Sequence, residues 1–294
     1  MEFVTLGTAG GPGPLKHRAQ PAHAVISGER TILVDCGDGA MGQLMRAGID
    51  FRHVNEIIIS HHHFDHIGGL YTCLGINMML QRKSPLKIYG PPGTSEIIRG
   101  LMESCNVPRA TGFGIPGQTL PHPNEFVEVY DLLPEHTLNF DDLRISFCEN
   151  THFRVEEDFG KPGPISFSMR FDTETRSIVY TGDTGPCEKL EQFSHFADLL
   201  VAPLMDAEKI MHKVRMKNPH MSEERLNMMA EHMAKHFLTA GQLGDLANVS
   251  KVGHVVAVHI PLDYMNQKTA PDYIKQISLK FSGKITLAED LNRF

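Results

Sequence analysis

The chain is built from short apolar runs of strand length, several of which stop abruptly at a polar side chain. The clearest is Ile57-Ile58-Ile59, which reads as a buried strand and ends in Ser60-His61-His62-His63-Phe64-Asp65-His66, a spacing of H-x-H-x-D-H. Residues 3–6 form an earlier run, followed by a Gly/Pro-rich loop at 7–14. Runs at 24–26 and 31–35 make a hairpin-like pair across Gly28-Glu29. Further strands are predicted at 86–89, 126–130, 143–149, 165–171, 177–181 and 199–204, with 255–260 the last strong one. Helices are predicted at 40–47, at 69–80 and from Thr94 toward Met102. The stretch 106–124 holds four prolines and three glycines and reads as a long loop. Strand-rich and helical segments alternate twice over, which predicts two sheets flanked by helices rather than one doubly wound sheet.

Residues 205–237 follow a different pattern. They carry seven methionines and a break at Asn218-Pro219. Before the break, Lys209, Lys213 and Lys217 share one helical face, with Ile210 and Val214 on another. After it, Ser222 is placed to cap a helix with an acidic first turn (Glu223-Glu224) and the stripe Leu226, Met229, Met233, Phe237. Two readings fit: a pliable lid or dimer arm, since methionine adapts to varied surfaces, or a core-facing hairpin with solvated lysines. Thr239 and Gln242 fit a capping box that opens one more short helix.

Composition narrows the function classes. With 294 residues, 41% of them hydrophobic, the chain is expected to form one domain, residues 1–294, with a Met-rich helical insertion at about 205–238. A net charge of −7 argues against a dedicated nucleic-acid binder. The five cysteines are dispersed with no CxxC pair, so they read as small buried hydrophobes rather than disulfides or zinc ligands. No apolar run approaches membrane-span length, and the start shows no signal-peptide core. The expected address is cytoplasmic by default, or periplasmic if a leader has been removed.

The H-x-H-x-D-H cluster is the chemical centre of the sequence. Alternating imidazoles followed by adjacent Asp and His can face two metal ions from one loop, and zinc accepts both nitrogen and carboxylate oxygen. A surface His tract would leave the inserted Asp65 and the strand before it unexplained. Three later residues follow strands in the same way: His152 after 143–148, Asp183 between Gly182 and Gly185, and His259 after Val255-Val256-Ala257-Val258.

The order H-x-H-x-D-H, His152, Gly182-Asp183-Thr184-Gly185, His259 resembles the metallo-β-lactamase fold superfamily of metallohydrolases. Within it, the chain looks closest to the branch of tRNA-processing ribonuclease Z, arylsulfatase-like and phosphodiesterase members. The resemblance implies an α/β (α+β) architecture, the αββα sandwich of two mixed β-sheets flanked by helices. It assigns one zinc to His61, His63 and His152 and a second to Asp65, His66 and His259, with Asp183 bridging both. Manganese or iron are the alternative metals. His62 matches no ligand position, and Ser60, Thr181 and Asp35 are candidates to orient the ligands. The resemblance also makes His236 the counterpart of a relay histidine, although Pro203 stands where the family often has its acidic partner. A helix-end His beside a cap is the other reading of His236.

The nuclease carries a long substrate arm between the positions matching His152 and Asp183. Those residues are only 31 apart here, which counts against tRNA processing. The expected function is therefore a dinuclear zinc hydrolase of small phosphoesters or aryl sulfates acting through a metal-bridging hydroxide. In it Asp65 orients or deprotonates the water, and His236 serves the leaving oxygen. A lactonase or β-lactamase-like hydrolase is the alternative, and a non-catalytic metal-binding sensor or scaffold is a third reading. The expected partner is a small ester, with a homodimer plausible.

Overall fold

The computed structural model describes residues 1–261 and 268–294, which fall into two compact units. The first comprises Met1–Leu133 together with Glu289–Phe294. Its elements are β1 (Glu2–Gly7), β2 (Ala22–Ser27), β3 (Arg30–Val34), α1 (Ala40–Arg46), β4 (Val54–Ile58), α2 (Phe64–Ile67) and α3 (Leu70–Met79). They continue with β5 (Leu86–Gly90), α4 (Thr94–Ser104), α5 (Asn106–Thr111) and β6 (Val127–Asp131). The six strands lie in sequence order. β1, β2 and β3 pair antiparallel, whereas β3, β4, β5 and β6 pair parallel. Parallel strands covered on both faces need continuous apolar sequence, and Ile57, Ile58 and Ile59 are fully buried accordingly. Side chains of α1, α3 and α4 complete this core. The C-terminal segment extends the sheet beyond β1, with Phe294 and Phe3 exchanging backbone hydrogen bonds at 3.0 Å.

The second unit, Pro134–Ala288, contains β7 (Thr137–Phe140), β8 (Leu143–Glu149), β9 (Phe167–Asp172), β10 (Ser177–Tyr180), α6 (Glu188–Phe193) and β11 (Leu199–Pro203). There follow α7 (Ala207–Lys217), α8 (Glu223–His236), α9 (Ala240–Val249), β12 (His254–Val258), α10 (Ala270–Ser278) and β13 (Lys284–Leu287). Its seven strands run in the order β13-β12-β11-β10-β9-β8-β7. β10 to β13 are parallel and β7 to β10 antiparallel. Because β8 and β10 are both antiparallel to β9, they point the same way as β11 and β12. The C-terminal ends of β8, β10 and β12 therefore share one edge of the sheet.

Two mixed sheets flanked by helices are what the sequence predicts. One segment needs correction: the loop expected at 106–124 contains α5 and a 3-10 turn, Pro123–Glu125. Pro108 sits in the first turn of α5, where the missing N–H has no helical partner to lose. The Met-rich segment is a helical hairpin. Met211, Leu226 and Met233 form its small core, with Ile210, Val214, Met229 and Phe237 packed around them. Ser222 caps α8 through the Arg225 N–H at 3.3 Å, and the Thr239/Gln242 capping box is present on α9. Met216 and Met228 remain exposed.

Candidate metal centre

In the first unit the donors radiate from the ends of β3 and β4. These strands run in register, Val34 beside Ile58, so Asp35 and Ser60 emerge at the same edge. Asp35 adopts a positive φ of 57° and is fully buried. This turns its carboxylate onto the neighbouring loop. Oδ1 accepts from the Ser60 N–H at 2.7 Å, while Oδ2 accepts from the Ser60 hydroxyl at 2.9 Å and faces His66 Nδ1 at 2.8 Å. His61 Nδ1 lies 3.0 Å from the Ser60 oxygen. Since the Ser60 proton goes to Asp35, the serine oxygen accepts the His61 Nδ1 proton. The His66 Nδ1 proton likewise goes to Asp35. Both imidazoles are thereby set in the tautomer that leaves Nε2 as a lone-pair donor.

The donor atoms stand close enough together that they could hold metal ions. Ligands about 2.0–2.2 Å from a tetrahedral zinc stand roughly 3.3–3.6 Å from one another. His61 Nε2 and His63 Nδ1 are 3.1 Å apart, and His66 Nε2 and Asp65 Oδ2 are 3.6 Å apart. His61, Asp65 and His66 are buried, while His63 is exposed. His62 turns away, as its place in the alternation requires. Its Nε2 is 2.8 Å from Thr94 Oγ1, and burial lowers its pKa.

The second unit carries a donor set of its own at the edge shared by β8, β10 and β12. His152 follows β8, Asp183 follows β10 across Gly182 (φ 59°), and His259 follows β12 with φ 51°. Oδ2 of Asp183 stands 3.8 Å from His152 Nε2 and 3.1 Å from His259 Nε2. One carboxylate oxygen thus faces two imidazoles. All three residues are buried. Asn150, which sequence reasoning missed, locks the two loops together. Its amide donates to the Thr181 carbonyl at 2.9 Å, and its oxygen accepts from the His152 N–H at 3.1 Å. Thr181 acts through that carbonyl, which also accepts from Ser168 Oγ at 2.6 Å.

His236 closes α8 beside this set. Its Nδ1 contacts the Thr151 carbonyl, and His152 Nδ1 lies 3.4 Å from the His236 carbonyl. The His236 ring therefore has a backbone carbonyl for a partner, which orients it. A Cβ on Gly185 would overlap the Lys235 carbonyl oxygen, so only glycine lets the end of α8 approach this closely. The cysteines are all buried and free. Desolvation pushes the Cys148 thiol up to about 12 and raises Cys187 as well, which leaves neither as a nucleophile. Among the described residues no helix is long and apolar enough to cross a membrane.

Comparison with known proteins agrees with the fold and the donor set. The chain is 25% identical over 300 residues to ribonuclease Z of Mycobacterium bovis, covering 100% of this chain and 97% of the relative. It is 28% identical over 320 residues to ribonuclease Z of Methanosarcina mazei, covering 99% and 96%. Among solved structures, the metallo-β-lactamase fold protein YhfI from Bacillus subtilis superimposes with a TM-score of 0.71 at 19% identity, covering 100% and 98%. The short form of human tRNase Z gives 0.68 at 20%, also covering 100% and 98%. A diphosphatase from the PhnP family gives 0.64 at 16%, covering 100% and 96%. The chain is thus a ribonuclease Z-like metal-dependent hydrolase of the metallo-β-lactamase fold. The profile of the anti-Pycsar protein Apyc1 family matches residues 1–241, most of the chain. The chain belongs to that family.

Proposed function

We propose that the chain is a dinuclear zinc hydrolase of small phosphodiesters. His61, His63 and His152 would hold one ion and Asp65, His66 and His259 the other, with Asp183 shared. The observation that carries this reading is the donor geometry: pairs of nitrogen and oxygen donors at 3.1–3.8 Å, with the Nδ1 positions of His61 and His66 tied to Ser60 and Asp35. A pair of divalent ions in such a site supplies an activated water and polarises the phosphoryl oxygens. Within that arrangement Asp65 holds the attacking water in line and takes its proton. His236, as an imidazolium whose Nδ1–H donates to the Thr151 carbonyl, gives its Nε2 proton to the departing alkoxide and is left neutral.

Phosphodiesters are favoured over sulfates and lactones because the named relatives that specify a substrate, the ribonucleases and the diphosphatase, act on phosphorus. A small substrate is favoured over tRNA because His152 and Asp183 are joined only by residues 153–166, with one 3-10 turn at Glu156–Asp158, and by β9 and β10. The family's name supports a role in opposing Pycsar.

The test is metal content together with a panel of nitrophenyl phosphodiester, phosphotriester, aryl sulfate and lactone substrates, plus a tRNA precursor. About two zinc per chain and turnover of the phosphodiester are expected. Cleavage of the precursor, or of lactones alone, would replace the proposal with the corresponding rival. The His236 role has its own signature. His236→Ala should slow esters of poorly acidic alcohols about 100-fold or more, yet slow nitrophenyl esters far less, because nitrophenolate leaves without a proton. Equal losses on both substrates would remove His236 from proton donation.

A further inference from the structure

The carboxylate of Asp290 lies in the C-terminal segment, yet every hydrogen bond recorded for it reaches the other end of the first unit. Oδ1 accepts from the Thr8 N–H at 2.9 Å and the Thr8 hydroxyl at 2.6 Å. Oδ2 accepts from the Ala19 N–H at 2.7 Å and from Gln43 Nε2 at 3.0 Å. Gln43 Nε2 also donates to the Leu6 carbonyl at 2.6 Å, and Arg18 donates to Thr8 Oγ1 at 2.6 Å. Thr8 and Ala19 are the two ends of the Gly/Pro-rich loop that follows β1, and the Ala9 N–H pairs with the Ala19 carbonyl at 2.9 Å. One carboxylate therefore closes the loop at its base.

The loop in turn covers Asp65. Gly11 lies so near the Asp65 carboxylate that a Cβ there would overlap it. The returning strand of the loop packs on Gly37, where a Cβ would overlap the Asp65 carbonyl and crowd Gln20 and Pro21. Loops of this composition are conformationally broad unless tied down, and this one is tied at Asp290. We propose that Asp290 is a positioning residue: it staples residues 8–19 shut, so that the Gly11 backbone holds the Asp65 carboxylate in its ligand-bearing orientation. The inference rests on the reading of Asp65 as a metal ligand.

Asp290→Asn is the sharpest variant. Each carboxylate oxygen receives two donors, so either placement of the amide sets an NH2 group against two donors. Hydrogen exchange on the metal-loaded protein should show the Thr8 and Ala19 amides exchanging at least about tenfold faster. Competition with a chelator should show one of the two metal equivalents weakened by about tenfold or more, in line with losses from outer-shell partners. The rate should fall through kcat and recover with excess zinc, while KM stays nearly constant. Unchanged amide exchange, or unchanged metal affinity, overturns the proposal, as does a rate loss that excess zinc does not restore. Thr8→Val, which deletes the hydroxyl that donates to Asp290 and accepts from Arg18, should reproduce the same pattern in milder form if the asparagine variant folds poorly; normal metal affinity there overturns the proposal too. Asp65→Ala separates this from the underlying reading. If that variant keeps both metal equivalents, Asp65 is not a ligand, whatever the amide exchange of the Asp290 variant shows.

Discussion

Asp183→Ala should abolish activity, lowering kcat/KM at least about a thousandfold, or roughly 4 kcal/mol of transition-state stabilisation. The same oxygen of this residue stands between His152 and His259. Removing it therefore strips a donor from both proposed ions at once, whereas removing either histidine strips one. Metal analysis should show the loss directly, with fewer than two equivalents retained after dialysis. The fold should survive. Asp183 follows β10 in the loop that Asn150 and Thr151 hold through Thr181 and Gly185, and those bonds do not involve its side chain. The Ser166 hydroxyl reaches only its backbone carbonyl, at 3.4 Å. A variant that keeps both metal equivalents and full turnover would remove Asp183 from the centre.

The proposed ligand residues stand out in the sequence because most are metal-competent side chains close behind an apolar strand, and local sequence sets that pattern. In the second unit, antiparallel pairing of β8 and β10 to β9 and parallel pairing from β10 to β12 carry three of those strand ends to one edge. What holds the ligands was far less legible. Asn150 acts on Thr181, and Asp290 acts on Thr8 at a separation of 282 residues. No local pattern distinguishes such an Asn or Asp from an ordinary turn residue. Asp35 was visible only by position, and its role depends on a left-handed backbone that spacing does not reveal. The missed elements have physical reasons too. β13 (Lys-Ile-Thr-Leu) and β7 are four-residue edge strands, too short to show alternation. α5 was hidden by its proline and the glycines after it. In the Met-rich segment the sequence left lid and hairpin open. The segment folds as a helical hairpin with a small core of its own, in which Met211 and Met233 pack with Leu226.

Asp35→Asn should cost less than loss of a ligand, yet it isolates a single proton. Asparagine tolerates the positive φ of 57° better than alanine does, and it keeps the oxygen that accepts from the Ser60 N–H. What changes is Oδ2, which becomes an NH2 group facing both His66 Nδ1 and the Ser60 hydroxyl. Two N–H groups cannot share that contact, so the His66 proton must move to Nε2, the nitrogen set at 3.6 Å from Asp65. The ring then presents a proton where a lone pair is needed. Zinc affinity at that position should fall about 10–100-fold, some 1.4–2.7 kcal/mol, with the melting temperature of the metal-free protein changing little. Asp35→Ala should lose the same affinity and stability besides, because it adds left-handed strain and leaves the Ser60 N–H unpaired in the core. Carbon-13 shifts of the His66 ring, which separate the two tautomers, would decide the matter. An unchanged Nδ1-protonated ring in the asparagine variant would mean that Asp35 does not set the ligand nitrogen.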